Sequence, residues 1–248
     1  MDERRCGSMG RWVAALGLAA MLAGCATDGR HRADPLEPVN RAVFRFNETL
    51  DEAVLQPVAK GYRAVLPDLV RTGVTNFFSN LDDVWIGVNN VLQGKLSDGI
   101  QDFARVTFNS TFGLLGLIDV ATDFNLPKHN EDFGQTLGRW GIGSGPYLVL
   151  PLFGPSTVRD GLGLYADSYG DVIVNLNDVA SRNTLYAHRL INTRTNLLDA
   201  TRVLEEAALD KYRFVRDSFL QRRRNLVYDG SPPAEPDEEE AESSPPAR

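Results

Sequence analysis

The chain has 248 residues, with 33 acidic and 26 basic side chains and a formal net charge of −7. Seven acidic residues and one arginine lie from Asp229 onward, so the chain from 25 to 228 is almost neutral, which argues against nucleic acid as a partner. About two hundred residues suffice for one domain with a sizeable core. Two cysteines and three histidines give neither a cysteine-based zinc site nor an HExxH pair, so we expect no metal and no other cofactor.

The first 24 residues predict a lipoprotein signal peptide. Three arginines precede an apolar segment at 12–23, which is too short to span a bilayer and ends Leu-Ala-Gly before Cys25. Small residues before a cysteine are typical of bacterial lipoproteins, in which the signal is removed and the cysteine carries lipid. The alternative is an ordinary signal with a chance cysteine. Residues 25–33 would be a lipidated tether, and translation could start at Met1 or at Met9.

The first predicted helix follows two prolines, and Asn40 is expected to cap it. Apolar residues then recur at helical spacing, which indicates one apolar face. They are Val43, Phe46, Leu50, Val54 and Val58. This face would pack on the core or on lipid.

A second helix is predicted from Asp68 to Gly94, where an apolar stripe runs until glycine ends it. Its asparagines are poor helix formers, so we expect them to bind loops or lipid headgroups, with plain surface placement as the alternative. They are Asn76, Asn80, Asn89 and Asn90.

A third helix is predicted to open at Ser97 and Asp98 and to continue into 112–118, which is apolar on every side. A helix of that kind is buried in protein or lies in a membrane.

The segment 131–155 combines glycine with apolar surface. Six glycines occur between Gly134 and Gly154, and the backbone from Gly138 to Pro146 is expected to be bent and not helical. The apolar run 147–153 is too short to span a bilayer and must be buried in protein or in lipid.

The remaining chain predicts helices and an acidic tail. Ser156 is a candidate cap for a segment that reaches Asn177, and 183–228 predicts one or two helices with a basic end. That end would contact anionic headgroups or an acidic partner, or be a solvated face. Its basic residues are Lys211, Arg213, Arg216, Arg222, Arg223 and Arg224. The tail at 229–248 is too acidic and proline-rich to form a core. With little β-alternation anywhere, the fold class is all-α.

Catalytic motifs are incomplete. The GIGSG at 141–145 has Pro146 where the third glycine of a dinucleotide site would stand, and Ile142 where a hydrolase elbow needs glycine. A triad formed by folding remains the weaker alternative. It would consist of Ser144, His188 and Asp167. We therefore predict no enzyme.

Five blocks together resemble the VacJ or MlaA family of outer-membrane lipoproteins, in order and with the expected spacing. They are DPLEPVNRAVFRFN at 34–47, NFFSNLDDVWIGVNNVLQGK at 76–95, RVTFNSTFGLLGLIDVA at 105–121, EDFGQTLGRWGIGSGPYLVLPLFGPSTVRD at 131–160 and TRTNLLD at 193–199. The resemblance covers 34–228, and the tail lies outside it.

The resemblance implies an all-α, ring-shaped domain in the inner half of the outer membrane, with a central amphipathic channel. Through it, mislocalised phospholipid would leave the outer leaflet for a soluble periplasmic lipid carrier, which maintains lipid asymmetry. Trimeric porins would be membrane partners. The alternatives are a structural lipoprotein that scaffolds porins without moving lipid and, less favoured, a phospholipase that needs Ser144.

Site residues follow from the same resemblance. The channel hairpin and hinge correspond to Phe133, Gly141, Gly143, Gly145 and Pro146, although a tight turn alone would also explain the glycines. Asn47 corresponds to the channel gate, and Glu48 stands where relatives carry an aromatic residue, so the gate here would be built differently. The apolar membrane or channel wall would comprise Phe112, Leu114, Leu115, Leu117, Ile118, Tyr147, Leu148 and Leu150.

Overall fold

A computed structural model describes residues 34–233. The signal, Cys25, the tether and the acidic tail beyond Pro233 lie outside the described residues. Among those described, no helix is long and apolar enough to cross a membrane.

Most of this range is helical. In chain order the helices are α1 Glu37–Leu50, α2 Gln56–Val65, α3 Asp68–Leu92, α4 Leu96–Thr111, α5 Phe133–Arg139, α6 Val158–Gly170, α7 Val179–Asn196, α8 Leu198–Ala207 and α9 Lys211–Val227. A π-helical turn, Asp51–Leu55, joins α1 to α2.

The all-α prediction is incomplete because the apolar run forms a β-hairpin. Strand β1 (Tyr147–Leu150) pairs antiparallel with β2 (Gly154–Thr157), with Tyr147 opposite Thr157. Burial alternates along β1, so one face packs into the protein and the other is half-buried.

The structure confirms the second predicted helix as α3 and corrects the start of the first. Gly94 follows α3 at φ +83°, where a left-handed residue ends a helix. Helix α1 begins at Glu37 with proline in its first turn, so Asn40 lies inside the helix and does not cap it.

The prediction that the third helix continues through 112–118 is wrong. Helix α4 ends at Thr111, and Leu114, Leu115 and Gly116 have positive φ. A Cβ on Gly116 would lie 2.7 Å from Asn80 Nδ2, so α3 packs directly against the turn. We call residues 112–118 the apolar turn.

Two details after the hairpin also differ from the prediction. Thr157, and not Ser156, caps α6, accepting a hydrogen bond from Asp160 N. The carboxyl-terminal region forms three helices, because α7 and α8 meet at Leu197 and Asp210 caps α9.

The hairpin lies at the centre of the packing. Tyr147 and Val149 form a buried cluster with Tyr212 of α9, and the Tyr147 ring is edge-on to those of Tyr212 and Phe219. Helices α3 and α4 pack on each other, as do α5 and α6, and α2 packs on α7.

Candidate functional site

The distribution of polarity is inverted relative to a water-soluble domain. Within 34–233, 18 polar or charged residues are buried against ten hydrophobic ones, and 36 large hydrophobic residues are exposed. Isolated exposed apolar side chains are ordinary, but many of them beside a polar interior indicate an apolar environment outside the protein.

The apolar turn carries part of this exposed surface. Its five large side chains are all exposed, and Leu115 is the most open at 72 %. Asn76 Nδ2 donates to Leu117 O (3.2 Å) and so binds a loop as predicted, whereas Asn80 Nδ2 donates to Ser110 Oγ of helix α4 (3.0 Å). These hydrogen bonds hold the protein-facing side of the region, and the leucine and phenylalanine side chains of the apolar turn are left exposed.

Two asparagines of α1 hold the hairpin through their side-chain amides. Asn40 Nδ2 donates to Tyr147 O (3.0 Å), and its Oδ1 accepts from Val149 N (2.9 Å). Asn47 repeats the pattern with Leu150 O and Leu152 N, both at 2.9 Å. We call these four hydrogen bonds the asparagine clamp.

The distance between the two asparagines along α1 matches the distance between their partners along the hairpin. Seven residues of helix rise about 10.5 Å, and three residues of strand span about 10 Å. Asn40 therefore satisfies backbone groups of β1, where an unpaired edge would otherwise remain, and Asn47 satisfies the turn between the strands.

A buried acid fixes the orientation of Asn40. Asp34 Oδ1 accepts from Asn40 Nδ2 (2.8 Å), and its Oδ2 accepts from Tyr212 Oη (2.5 Å) and Arg216 Nη1 (3.3 Å). Burial and the neighbouring Asp34 raise the pKa of Tyr212, so the phenol stays a donor at physiological pH. The clamp thus joins α1, the hairpin and α9.

Residues 140–146, which we call the glycine loop, join α5 to the hairpin. Gly141 has φ +90° and Gly145 φ +67°, and a Cβ at Gly141 or Gly143 would meet no atom within 4 Å. Glycine is therefore required at position 141 by the positive φ of the backbone and not by close packing. Pro146 is exposed, and its carbonyl accepts from Val158 N (3.2 Å).

Phe133 lies at the base of the glycine loop. Its ring is edge-on to Trp140 at 5.9 Å, and its backbone N donates to Asp167 Oδ1 (2.9 Å). Leu148 and Leu150 are half-buried, whereas Tyr147 is enclosed by protein.

Comparison with known proteins identifies the family. The family model described as MlaA lipoprotein matches residues 32–226. The chain belongs to the MlaA family. It is 37 % identical over 217 residues to the intermembrane phospholipid transport system lipoprotein MlaA of Escherichia coli, which covers 85 % of this chain and 86 % of that protein.

Two further comparisons agree with the family. The protein of the same name from Haemophilus influenzae is 30 % identical over 227 residues, with 88 % of this chain and 90 % of the relative covered. A solved structure from work on the structural basis for maintenance of bacterial outer membrane lipid asymmetry matches with a TM-score of 0.69. It is 36 % identical and covers 79 % of this chain and all of the solved chain.

Charged side chains of this MlaA-family chain form a polar interior. Arg105 contacts Asp83 (3.4 Å) and binds Asp119 through Nη2 (2.9 Å). Arg223 binds both Asp132 and Asp160. Hydrogen bonds from Thr122, Arg105 and Asn109 outweigh burial and lower the pKa of Asp119, which therefore stays ionised.

Asp82, which precedes Asp83 of this interior, is exposed. Arg189 Nη1 lies 3.4 Å from Asp82 Oδ1, and the Asp82 side chain is 52 % exposed. Even so, burial, opposed by Arg189, raises the pKa of Asp82 to about 6. The Asp82 carboxylate is thus reached by water while it lies close to Arg189.

We expect Asp82→Asn to stabilise the fold at pH 8 but not at pH 4. Because the folded-state pKa is about 6 and the ordinary value is 3.8, protonation favours folding; this contribution is complete below the lower value and lost as pH rises through 6. Screening of a half-exposed group limits the gain to roughly 1 kcal/mol. Unfolding in one detergent at both pH values measures it. The exposed Asp123→Asn is the control, and a gain that is equal at both pH values would contradict the assignment.

The basic end of the chain is largely paired internally. Lys211 binds Glu48 and Glu205, Arg213 contacts Asp210, and the arginines at 216 and 223 bind buried acids. Glu48 thus ties α1 to α9.

The structure gives the members of the alternative triad separate partners. Asp167 accepts from Trp85 Nε1 (2.7 Å) and Phe133 N, His188 packs on Tyr62, and the Ser144 carbonyl accepts from a backbone amide of α6. No cluster of metal-binding residues occurs among residues 34–233.

Sequence reasoning missed Asn40, Asp34 and Asp82 as site residues. The spacing of Asn40 and Asn47, seven residues apart on one helix, was the available signal for the clamp. No pattern in the sequence links Asp82 to Arg189, which are 107 residues apart.

Proposed function

We propose that this protein moves mislocalised phospholipid from the outer leaflet of the outer membrane to a soluble periplasmic carrier, and so maintains lipid asymmetry. It has no catalytic role in this proposal. The inverted polarity carries the proposal, because exposed apolar side chains suit a lipid environment while a charged interior suits the headgroup.

The physical need for such a protein follows from the cost of hydrating lipid tails. A phospholipid has roughly thirty methylenes, and moving each from the bilayer into water costs about 0.8 kcal/mol. The free energy of transfer is therefore on the order of 25 kcal/mol. A path with an apolar wall and a polar wall removes most of that barrier.

In the proposed path, acyl chains contact apolar side chains of the apolar turn and the hairpin, and the headgroup follows the charged interior. The water-accessible pair of Asp82 and Arg189 supports a polar lumen, since both charges are available to a headgroup and to water. The path would be a central channel in a ring of helices.

The hairpin would be the gate. The asparagine clamp holds it closed in this arrangement, and the glycine loop next to it supplies the backbone freedom for opening. Gly141 and Gly143 would act as hinges, because no neighbouring atom confines either residue.

Membrane attachment and partners complete the proposal. Lipid on Cys25 would anchor the chain to the inner half of the outer membrane. Trimeric porins would hold it within the membrane, and the soluble carrier would receive the lipid on the periplasmic side.

The test measures outer-leaflet phospholipid in cells that lack the gene, complemented with wild type or variants at equal abundance. Deletion should raise surface phospholipid, and wild type should restore it. Cys25→Ala and Gly141→Pro should not, because the first removes the anchor and proline cannot adopt φ +90°. Gly61→Ala in α2, whose added Cβ meets no atom within 4 Å, is the control and should complement.

The outcomes separate the parts of the proposal. Normal surface lipid in the deletion strain would remove the transport function and favour the porin scaffold. Full complementation by Gly141→Pro would remove the hinge but leave the anchored transporter. Release of fatty acid that depends on Ser144 would instead indicate a phospholipase.

A further inference from the structure

A cleft of about 1360 Å³ lies between the glycine loop and α9. One wall is formed by loop residues Gly141, Gly143 and Ser144, and the opposite wall by α9. This cleft therefore borders the proposed hinge, but neither the asparagine clamp nor the apolar turn contributes residues to it.

Arginine dominates the charged side chains of this cleft. Arg159, Arg222, Arg223 and Arg224 line it, together with one acid, Asp217. Arg159 and Arg223 share Asp160, and Asp217 is paired with Arg216. Arg222 is exposed and has no carboxylate within 4 Å among the residues from 34 to 233. The cleft thus has positive charge left for an anion.

The described chain ends at the rim of the same cleft. Pro232 lines it, and Arg224 Nη2 contacts the carbonyl oxygen of Pro233. The next residues include six acids between 235 and 242 and no basic residue. Residue 239 lies six positions beyond Pro233, within about 20 Å of chain length.

We infer that the acidic segment 235–242 binds in the arginine-lined cleft of its own chain. The charges are complementary, and the tether makes the encounter intramolecular, with an effective concentration in the millimolar range. The negative charge of the bound segment keeps other anions, lipid phosphate included, away from Arg222. The segment lies beyond residue 226, where the family match ends, and the contact does not depend on the proposed transport.

The test follows disulfide formation in the full-length, lipidated protein carrying Ser218→Cys in α9 and Glu239→Cys in the tail. The acidic tail is compared with one in which its other five acids, at 235, 237, 238, 240 and 242, are changed to amides. We expect cross-linking to be several-fold faster with the acidic tail at low salt, and the two rates to converge at 1 M salt, where the Debye length is about 3 Å.

Charge reversal in the cleft provides the matched comparison. Arg222→Glu should slow cross-linking at least about five-fold, the scale of one contact ion pair in water. Arg202→Glu makes the same charge change on an exposed position of α8 and should leave the rate unchanged.

Three outcomes would overturn the inference. Equal rates for acidic and neutral tails would mean that the tether alone brings the cysteines together. Equal slowing by Arg222→Glu and Arg202→Glu would indicate general electrostatics and not this cleft. Cross-linked dimers from a mixture of single-cysteine proteins, at the rate of the double variant, would place the segment on a second copy.

Discussion

Arg105→Met is expected to lower the free energy of unfolding by about 3 kcal/mol, because it removes the buried cation shared by Asp119 and Asp83 and leaves Asp83 with Lys128 alone. Arg105 is 2 % exposed and binds Asp119 through Nη2 and the carbonyl of Leu126 through Nη1 (2.6 Å). It also contacts Asp83, which is itself buried and whose pKa is raised by that burial. Methionine fills similar volume but donates no hydrogen bond.

Denaturant unfolding in a fixed detergent measures this loss. Arg202→Met, at an exposed position of α8, is the control and should change stability by no more than roughly 0.5 kcal/mol. Adding Asp119→Asn to Arg105→Met should recover part of the loss, because it removes one uncompensated charge. If Arg105→Met cost less than about 1 kcal/mol, the polar interior would not stabilise the fold as argued.

Helical periodicity was sufficient to predict a helix wherever that helix packs along one face. The apolar stripe between Asp68 and Leu92 predicted α3 within two residues, because a side chain every three or four positions defines a face whatever it packs against. The family and its lipid-transport context also followed from the sequence, since motif order and spacing are linear properties of the chain.

The apolar turn and the hairpin were missed for a common reason. In both, a short apolar run lacks a polar face, so periodicity cannot distinguish helix, strand and turn. Tertiary contacts determine the conformation of both segments. Asn80 occupies the space that a side chain on Gly116 would need, and Asn40 hydrogen-bonds to β1. Such contacts join residues 36 and 107 positions apart, which no local pattern encodes.

The role of Asn40 was misjudged because local chemistry gave a reasonable but incorrect answer. Asparagine near the start of a helix after proline usually caps it. Here Pro38 occupies the first turn and helix α1 starts at Glu37, which turns the Asn40 amide inward to the hairpin. Its partner Asn47 was named as a gate residue only through family resemblance, and that role remains a prediction.

Asn40→Leu tests the clamp most directly and should lower the free energy of unfolding by about 3 kcal/mol. Leucine has a similar shape, but Tyr147 O and Val149 N lose their partner inside the protein, and each orphaned backbone group costs roughly 1–3 kcal/mol. Asp34 loses one donor and retains two, Tyr212 and Arg216. The damage should therefore concentrate in the hairpin.

Amide hydrogen exchange locates the effect. In Asn40→Leu the Val149 amide should exchange at least about tenfold faster relative to helix α3, since each 1.4 kcal/mol of lost local stability is a factor of ten. Asn47→Leu should act mainly on the Leu152 amide and cost only about 1 kcal/mol, because that site is partly exposed.

Asn196→Leu is the matched control, since this exposed asparagine of α7 donates only to Thr75 and should leave both hairpin amides protected. If Asn40→Leu destabilised the protein while Val149 kept its protection, α1 would stabilise the fold without holding the hairpin. Helix α1 would then not be coupled to the hairpin, and a gate controlled from α1 would lose its structural basis.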